Sequence, residues 1–202
     1  MDNPGYVSIT RLSGLIAEMR VVSNNIANAS TTGFRGEKLV FAEVLEEADV
    51  DGGSLSMASP RAHVTDVSPG GFHQTGGALD LAIEGPGYFQ VETPNGPRLT
   101  RAGAFMRDAG GEIVNGDGHP VLGPGGAPVQ LPAEASDIQI AQDGAISAGG
   151  VPVGAIGLFD APAETLQREG GTLFRAAGAA VPAQTSRMLQ GFVEQSNVDP
   201  IE

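Results

Sequence analysis

Apolar residues near the start of the chain recur at Leu12, Leu15, Met19, Val22 and Ile26, spaced 3, 4, 3 and 4 apart. That is the a/d rhythm of a coiled-coil seam, and it predicts one helix over about residues 4–29. Asn3 stands as an N-cap and Pro4 suits the first helical position. Ile9 and Ile16 broaden the stripe. At 1.5 Å per residue the helix is about 35–40 Å long. Gly5 and Gly14 weaken it as a free helix, and an isolated amphipathic helix gains little in water. Its apolar face therefore needs cover. The chain's own domain is one source of cover; the strict 3-4 spacing favours other helices.

The seam runs into Asn24-Asn25-Ile26-Ala27-Asn28-Ala29-Ser30-Thr31-Thr32-Gly33-Phe34-Arg35. Asn24, Asn25 and Asn28 can pair across neighbouring helices or cap backbone groups. A solvated polar face with Asn28 ending the helix is equally open. Gly33 can take a positive φ and end the turn, and Phe34 can fold back as an anchor.

The pattern then changes. Residues 31–75 carry Gly33, Gly36, Gly52, Gly53, Pro60, Pro69, Gly70 and Gly71 with little sustained periodicity. They read as an extended connector, with an optional short helix around Lys38–Glu47. The acidic positions Glu43, Glu46, Glu47, Asp49 and Asp51 read as a solvated segment rather than a cation site. From Gln74 to about Phe174 the pattern is β. Leu79, Leu81 and Ile83 alternate with Asp80 and Ala82, and Tyr88–Glu92 and Arg98–Arg101 flank a Pro94-Asn95-Gly96 turn. Short apolar runs follow at Ile113-Val114, Val121-Leu122, Val129–Leu131, Ile138–Ile140, Ala145-Ile146 and Ile156–Phe159, separated by glycine-containing turns. Short strands with such punctuation predict a mainly β fold, a compact antiparallel sandwich or barrel-like domain behind a long N-terminal helix. Without helices long enough for crossovers, a parallel sheet is disfavoured. The segments are a helix over 1–30, a connector over 31–75, a β-domain over 76–180 and a return segment over 181–202. Asp199-Pro200-Ile201-Glu202 has the signature of a helix start, so the return segment is expected to lead into a C-terminal helix absent from this chain.

Composition narrows the chemistry. Thirty glycines and 14 prolines in 202 residues agree with many turns. There is no cysteine, which excludes disulfides, thiolate metal sites and a cysteine nucleophile. It suits a reducing cytoplasm, or passage unfolded through an export channel. The net charge of −13, with 11 scattered basic residues, offers no positive face for nucleic acid or an anionic membrane. No run approaches the roughly 18 apolar residues of a membrane span, and no Sec-type signal opens the sequence. His63, His73 and His119 lack metal-ligand spacing, and no Gly-x-Ser-x-Gly elbow exists. The Gly-Pro-Gly stretches at 85–87 and 123–125 lack phosphate-loop spacing. Asn115-Gly116-Asp117-Gly118 reads as a hairpin turn rather than a Ca²⁺ loop. No catalytic residue, cofactor or metal site is expected.

The N-terminal stretch from Asn24 through Arg35 resembles the motif that closes the first helix of bacterial flagellar rod and hook axial proteins. Further blocks are similar in the same order: Leu79 through Phe89, Leu99 through Phe105, Gly118 through Gly123, Asp143-Gly144, and Gly191 through Val198. The resemblance implies a structural subunit, with N- and C-terminal helices pairing into the inner coiled-coil layer of a tube and a β-domain packing outside it. It implies type III export without a cleaved signal peptide, assembly with copies of itself and neighbouring rod proteins in the periplasmic basal body, and no enzyme activity, cofactor or metal. The opening residues Met1-Asp2-Asn3, Tyr6-Val7 and Leu12 are most similar to the proximal-rod member; the distal-rod member is the alternative. The length, once a C-terminal helix is added, also suits the proximal member. On this reading the subunit interface comprises Leu12, Leu15, Met19, Val22, Asn24, Asn25, Ile26, Asn28, Thr32, Gly33 and Phe34. A rival reading, a ligand-binding β-domain on a helical tag, requires a pocket lined by His73, Asp80 or Glu84; a secreted adhesin-like module is a third.

Overall fold

The computed structural model describes residues 3–46 and 55–199. Glu47, Asp49 and Asp51 of the acidic run, Met1 and Asp2, and Pro200 to Glu202 of the helix-start motif lie outside the described residues, as do the side chains of Asn3 and Pro4. Helix α1 spans Asn3–Ala27 and ends two residues before the limit the periodicity predicts.

Two stripes run along α1. Gly14 and Val21 are buried and Ala17, Asn25 and Asn28 are half-buried. Leu12, Leu15, Met19, Val22 and Ile26 remain 48 to 68% exposed. At about 100° per residue the two stripes point about 140° apart. The small-residue stripe is the one the fold uses: α1 packs on a hairpin formed by β1 (Glu37–Glu46) and β2 (Leu55–Thr65).

That hairpin replaces the short helix considered over 38–47. The strands pair antiparallel from Glu37↔Thr65 to Glu46↔Leu55, with a register shift between Val40 and Phe41. Pro60 has no N–H to give the ladder, and the shift sets it opposite Phe41 while leaving Arg61 unpaired. The β-branched Val40 and Val44 favour the extended form once a partner strand is present.

The β-domain is built from antiparallel pairs throughout its described strands. Its main sheet has six strands in the order Leu166–Gly170, Leu173–Ala176, Gly96–Thr100, Tyr88–Thr93, Leu158–Asp160, Val181–Pro182. A three-stranded sheet, Val151–Ala155, Ala145–Ala148 and Ile138–Ile140, lies beside it. The sheets stay open rather than closing into a barrel. Strand alternation gives the main sheet two buried faces. Phe89 and Val91 enter one apolar cluster with Leu81, Ile113, Val121 and Ile156. Tyr88, Leu99, Phe159 and Phe174 form a second cluster on the other face. Phe89 meets Phe105 edge-on at 5.0 Å. The return segment runs back antiparallel over the start of the domain: Arg187–Gln190 pairs with Leu81–Glu84, and Phe192–Glu194 with Phe72–Gln74.

Phe89 is 0% exposed at the centre of the larger cluster. Phe89→Ala should lower stability by about 3–5 kcal/mol, read as a drop in the urea midpoint of the β-domain.

Candidate functional site

The described residues contain no group of three or more His, Cys, Asp and Glu able to hold a metal, and no described helix is long and apolar enough to cross a membrane. His73 is exposed. Asn115 Oδ1 accepts from the N–H groups of Asp117 and His119, which closes a turn rather than a cation loop. An open cleft of about 360 Å³ is lined by Val67, Phe72, Ile83, Glu84 and Arg101 among others; His73 and Asp80 do not line it. The features organised for contact are the free stripe of α1 and the clasp that holds α1 to the β-domain.

The free stripe carries the predicted seam, Leu12, Leu15, Met19, Val22 and Ile26, with Ile9 and Ile16 also exposed beside it. A groove along it is lined by Ile16, Met19, Arg20, Ser23 and Asn24. Asn24 remains exposed. Covering the exposed part of each seam side chain is worth on the order of 1 kcal/mol.

The other predicted contact residues are engaged within the chain. Asn25 behaves as a strand residue would: its Nδ2 donates to Glu37 O at 2.9 Å and its Oδ1 accepts from Glu37 N at 3.0 Å. It therefore bolts the end of α1 to the root of the hairpin. Asn28 Nδ2 donates to Asn24 O at 2.9 Å, a C-terminal cap, and Asn28 Oδ1 accepts from the Thr31 hydroxyl. Thr32 is half-buried. Gly33 sits at φ +67°, and a Cβ there would come within 2.3 Å of Ala102 N. Its N–H donates to Glu194 O at 2.7 Å. Phe34 is 1% exposed, packed inside the chain.

Behind Gly33-Phe34 lies a buried ion cluster that spacing did not reveal. Arg35 reaches Glu194 Oε1 at 2.6 Å, and Arg101 reaches Glu194 Oε2 at 3.2 Å, with all three side chains at most 6% exposed. Glu194 Oε1 also accepts from Gly70 N at 3.0 Å. Arg101 donates onward to Ile83 O and Gly85 O, and Arg35 to Ser68 O. Burial lowers the Arg101 pKa, and Glu194 opposes that shift. Asn197 completes the join. Its Oδ1 accepts from Gly36 N at 2.7 Å, and its Nδ2 donates to Asp66 O and Ser68 O. One carboxylate and one amide of the return segment thus fasten the connector and the β-domain together. Arg35, Arg101, Glu194 and Asn197 all fall inside the short blocks singled out in the sequence, which was the available signal for them.

Comparison with known proteins gives matches to both the N-terminal helix and the β-domain. A profile described as "Flagella basal body rod protein" matches residues 6–35, and one described as "Flagellar hook protein FlgE/F/G D1 domain" matches residues 82–148. The flagellar basal-body rod protein FlgF of Rhizobium meliloti is 35% identical over 98% of this chain and 83% of its own length. FlgF of Caulobacter vibrioides is 36% identical over 100% of this chain and 84% of its own. The flagellar basal-body rod protein FlgG of Bacillus subtilis is 32% identical, covering 96% and 84%.

Glu194→Gln should leave two buried guanidiniums without their counter-charge and cost about 3–5 kcal/mol, measured by urea unfolding with faster amide exchange at Gly33 and Gly70. A second expectation concerns pH. Hydrogen bonds from Lys38 and then Ser68 hold the Asp66 carboxyl at about 2, below its ordinary 3.8. Its contribution is therefore complete above about pH 4 and fades as pH falls toward 2. Lys38 is largely solvent-exposed, so the amount at stake is at most about 1 kcal/mol. Asp66→Asn should remove that part of the acid sensitivity between pH 5 and 2 in urea titrations.

Proposed function

The chain belongs to the flagellar basal-body rod protein family, and from that premise we propose how its geometry serves a structural subunit of the rod. The protein works by packing. The free stripe of α1 is the assembly surface, with Leu12, Leu15, Met19, Val22 and Ile26 covered by helices of other copies or neighbouring rod proteins, and Asn24 making polar contacts at its edge. The carrying observation is that these five apolar residues stay 48 to 68% exposed on a helix whose opposite stripe is already occupied by the hairpin. Asn25, Asn28, Gly33 and Phe34 serve the interface indirectly, by fixing how α1 leaves the β-domain.

The subunit acts without catalysis; load passes through many contacts rather than an active site. We assign it to the proximal part of the rod, on the likeness of Met1-Asp2-Asn3, Tyr6-Val7 and Leu12 to that member. Delivery through the flagellar export apparatus without a cleaved signal peptide accompanies this reading, and a chain without cysteine suits passage unfolded into an oxidising space.

Leu15→Asp combined with Val22→Asp places charge on two exposed seam positions and touches no core residue. The β-domain should melt as in the parent chain. A strain carrying only this variant should form no rods by electron microscopy and fail to spread in soft agar. Normal swimming at normal protein levels would sink the interface reading.

A further inference from the structure

Arg168 is a residue that neither the sequence blocks nor the seam explains. It lies on Leu166–Gly170, the outermost strand of the six-stranded sheet, and is half-buried. Its guanidinium carbon stands 4.5 Å from the Phe34 ring centroid and 5.1 Å from that of Phe174. Its Nε donates to Glu37 Oε1 at 2.7 Å, its Nη1 to Gly171 O at 2.6 Å, and its Nη2 to Arg35 O. Phe174 and Gly171 belong to the β-domain. Phe34, Arg35 and Glu37 belong to the segment that leads to α1 and the hairpin. One planar group therefore holds both sides of the joint with hydrogen bonds and with ring contacts.

The geometry of the other attachments shows why this position matters. Glu194 and Asn197 tie the connector to the return segment at the foot of the hairpin, at Gly33, Arg35 and Gly36 before it and at Asp66, Ser68 and Gly70 after it. These ties cluster at that foot, so a further tie placed away from them adds resistance to rotation of the arm. Arg168 grips from the six-stranded sheet and takes hold of Glu37, the residue whose backbone Asn25 binds from α1. Glu37 is thus where helix, hairpin and sheet meet.

We propose that Arg168 is a positioning residue for assembly: it braces the helix–hairpin arm against rotation and so sets the direction in which the α1 seam faces relative to the β-domain. The consequence for assembly rests on the rod reading; the brace itself does not. A lysine cannot reproduce it, because one ammonium lacks the planar fork that serves Glu37, Arg35 O and Gly171 O while covering the rings.

The chain has no cysteine, so spin labels can be placed by Ser23→Cys on α1 and Glu134→Cys on the β-domain. In dilute monomer, double electron–electron resonance should give one narrow distance population. Arg168→Ala should broaden it to several, Arg168→Lys should do so partly, and Glu37→Gln should broaden it by loosening the same grip from the hairpin side. Thermal unfolding of the β-domain should change little, and Arg168→Ala should reduce soft-agar spreading at normal protein levels. If Arg168→Ala does not fold, Glu37→Gln carries the test. An unchanged distribution in the variants that fold, or full rescue by lysine, overturns the proposal. If the seam double variant swims normally while the Arg168 distances still broaden, the interface reading falls and the brace stands.

Discussion

The fold turns on the carboxylate of Glu194, held between the guanidiniums of Arg35 and Arg101 with almost no exposure to water. Taking three charges out of solvent costs several kcal/mol per ion, and their attraction recovers that only with close geometry and full hydrogen bonding. Here the recovery is incomplete, since the Nε atoms of both arginines are buried without a protein partner. The cluster is a poor device for raw stability and a strong one for selection. Arg35 comes from the connector, Arg101 from the β-domain and Glu194 from the return segment. Without Glu194 two buried guanidiniums face each other with no counter-charge, and without either arginine one oxygen of Glu194 loses its cation. Docking of the return segment therefore favours docking of the connector with it.

That constraint explains the division of α1 into two faces. Once Gly33 is seated on Ala102 and Asn25 on Glu37, the end of the helix has a fixed relation to the hairpin root. Small side chains at Gly14, Ala17 and Val21 allow the helix to lie close to the strands. The larger apolar side chains, three and four residues apart on the other stripe, then have nowhere to go within the described chain. Local packing consumes the small stripe and leaves the large one exposed.

How much of this could be read in advance follows from the range of each interaction. The seam was legible because its periodicity is written in consecutive turns of one helix. Most central strands were legible for a similar reason, glycine turns between short apolar runs. The hairpin was not, because Glu37 pairs with Thr65 and its acidic composition resembles a solvated linker. The clasp was less legible still: Gly36 and Asn197 are 161 residues apart, and no local pattern links an amide to a backbone N–H at that separation. The motif block around Gly33-Phe34-Arg35 was visible, and its Phe34 reads both as an anchor that folds back and as an interface residue. Phe34 in fact faces inward, beneath Arg168, because a phenyl ring beside a guanidinium on the second face of the sheet is better covered there than in water.

The placement of charge also bears on load. Exposed pairs such as Lys38–Asp66 are screened and worth little, so a joint resting on them would give way as ionic strength rose. The pairs that cross from the arm to the body of this subunit, Arg35–Glu194 and Arg168–Glu37, are the sheltered ones, with side chains between 0 and 18% exposed. Separating them means exchanging short charge-assisted bonds for water that must first enter an apolar joint. A force applied along α1 therefore reaches the β-domain through contacts that yield last.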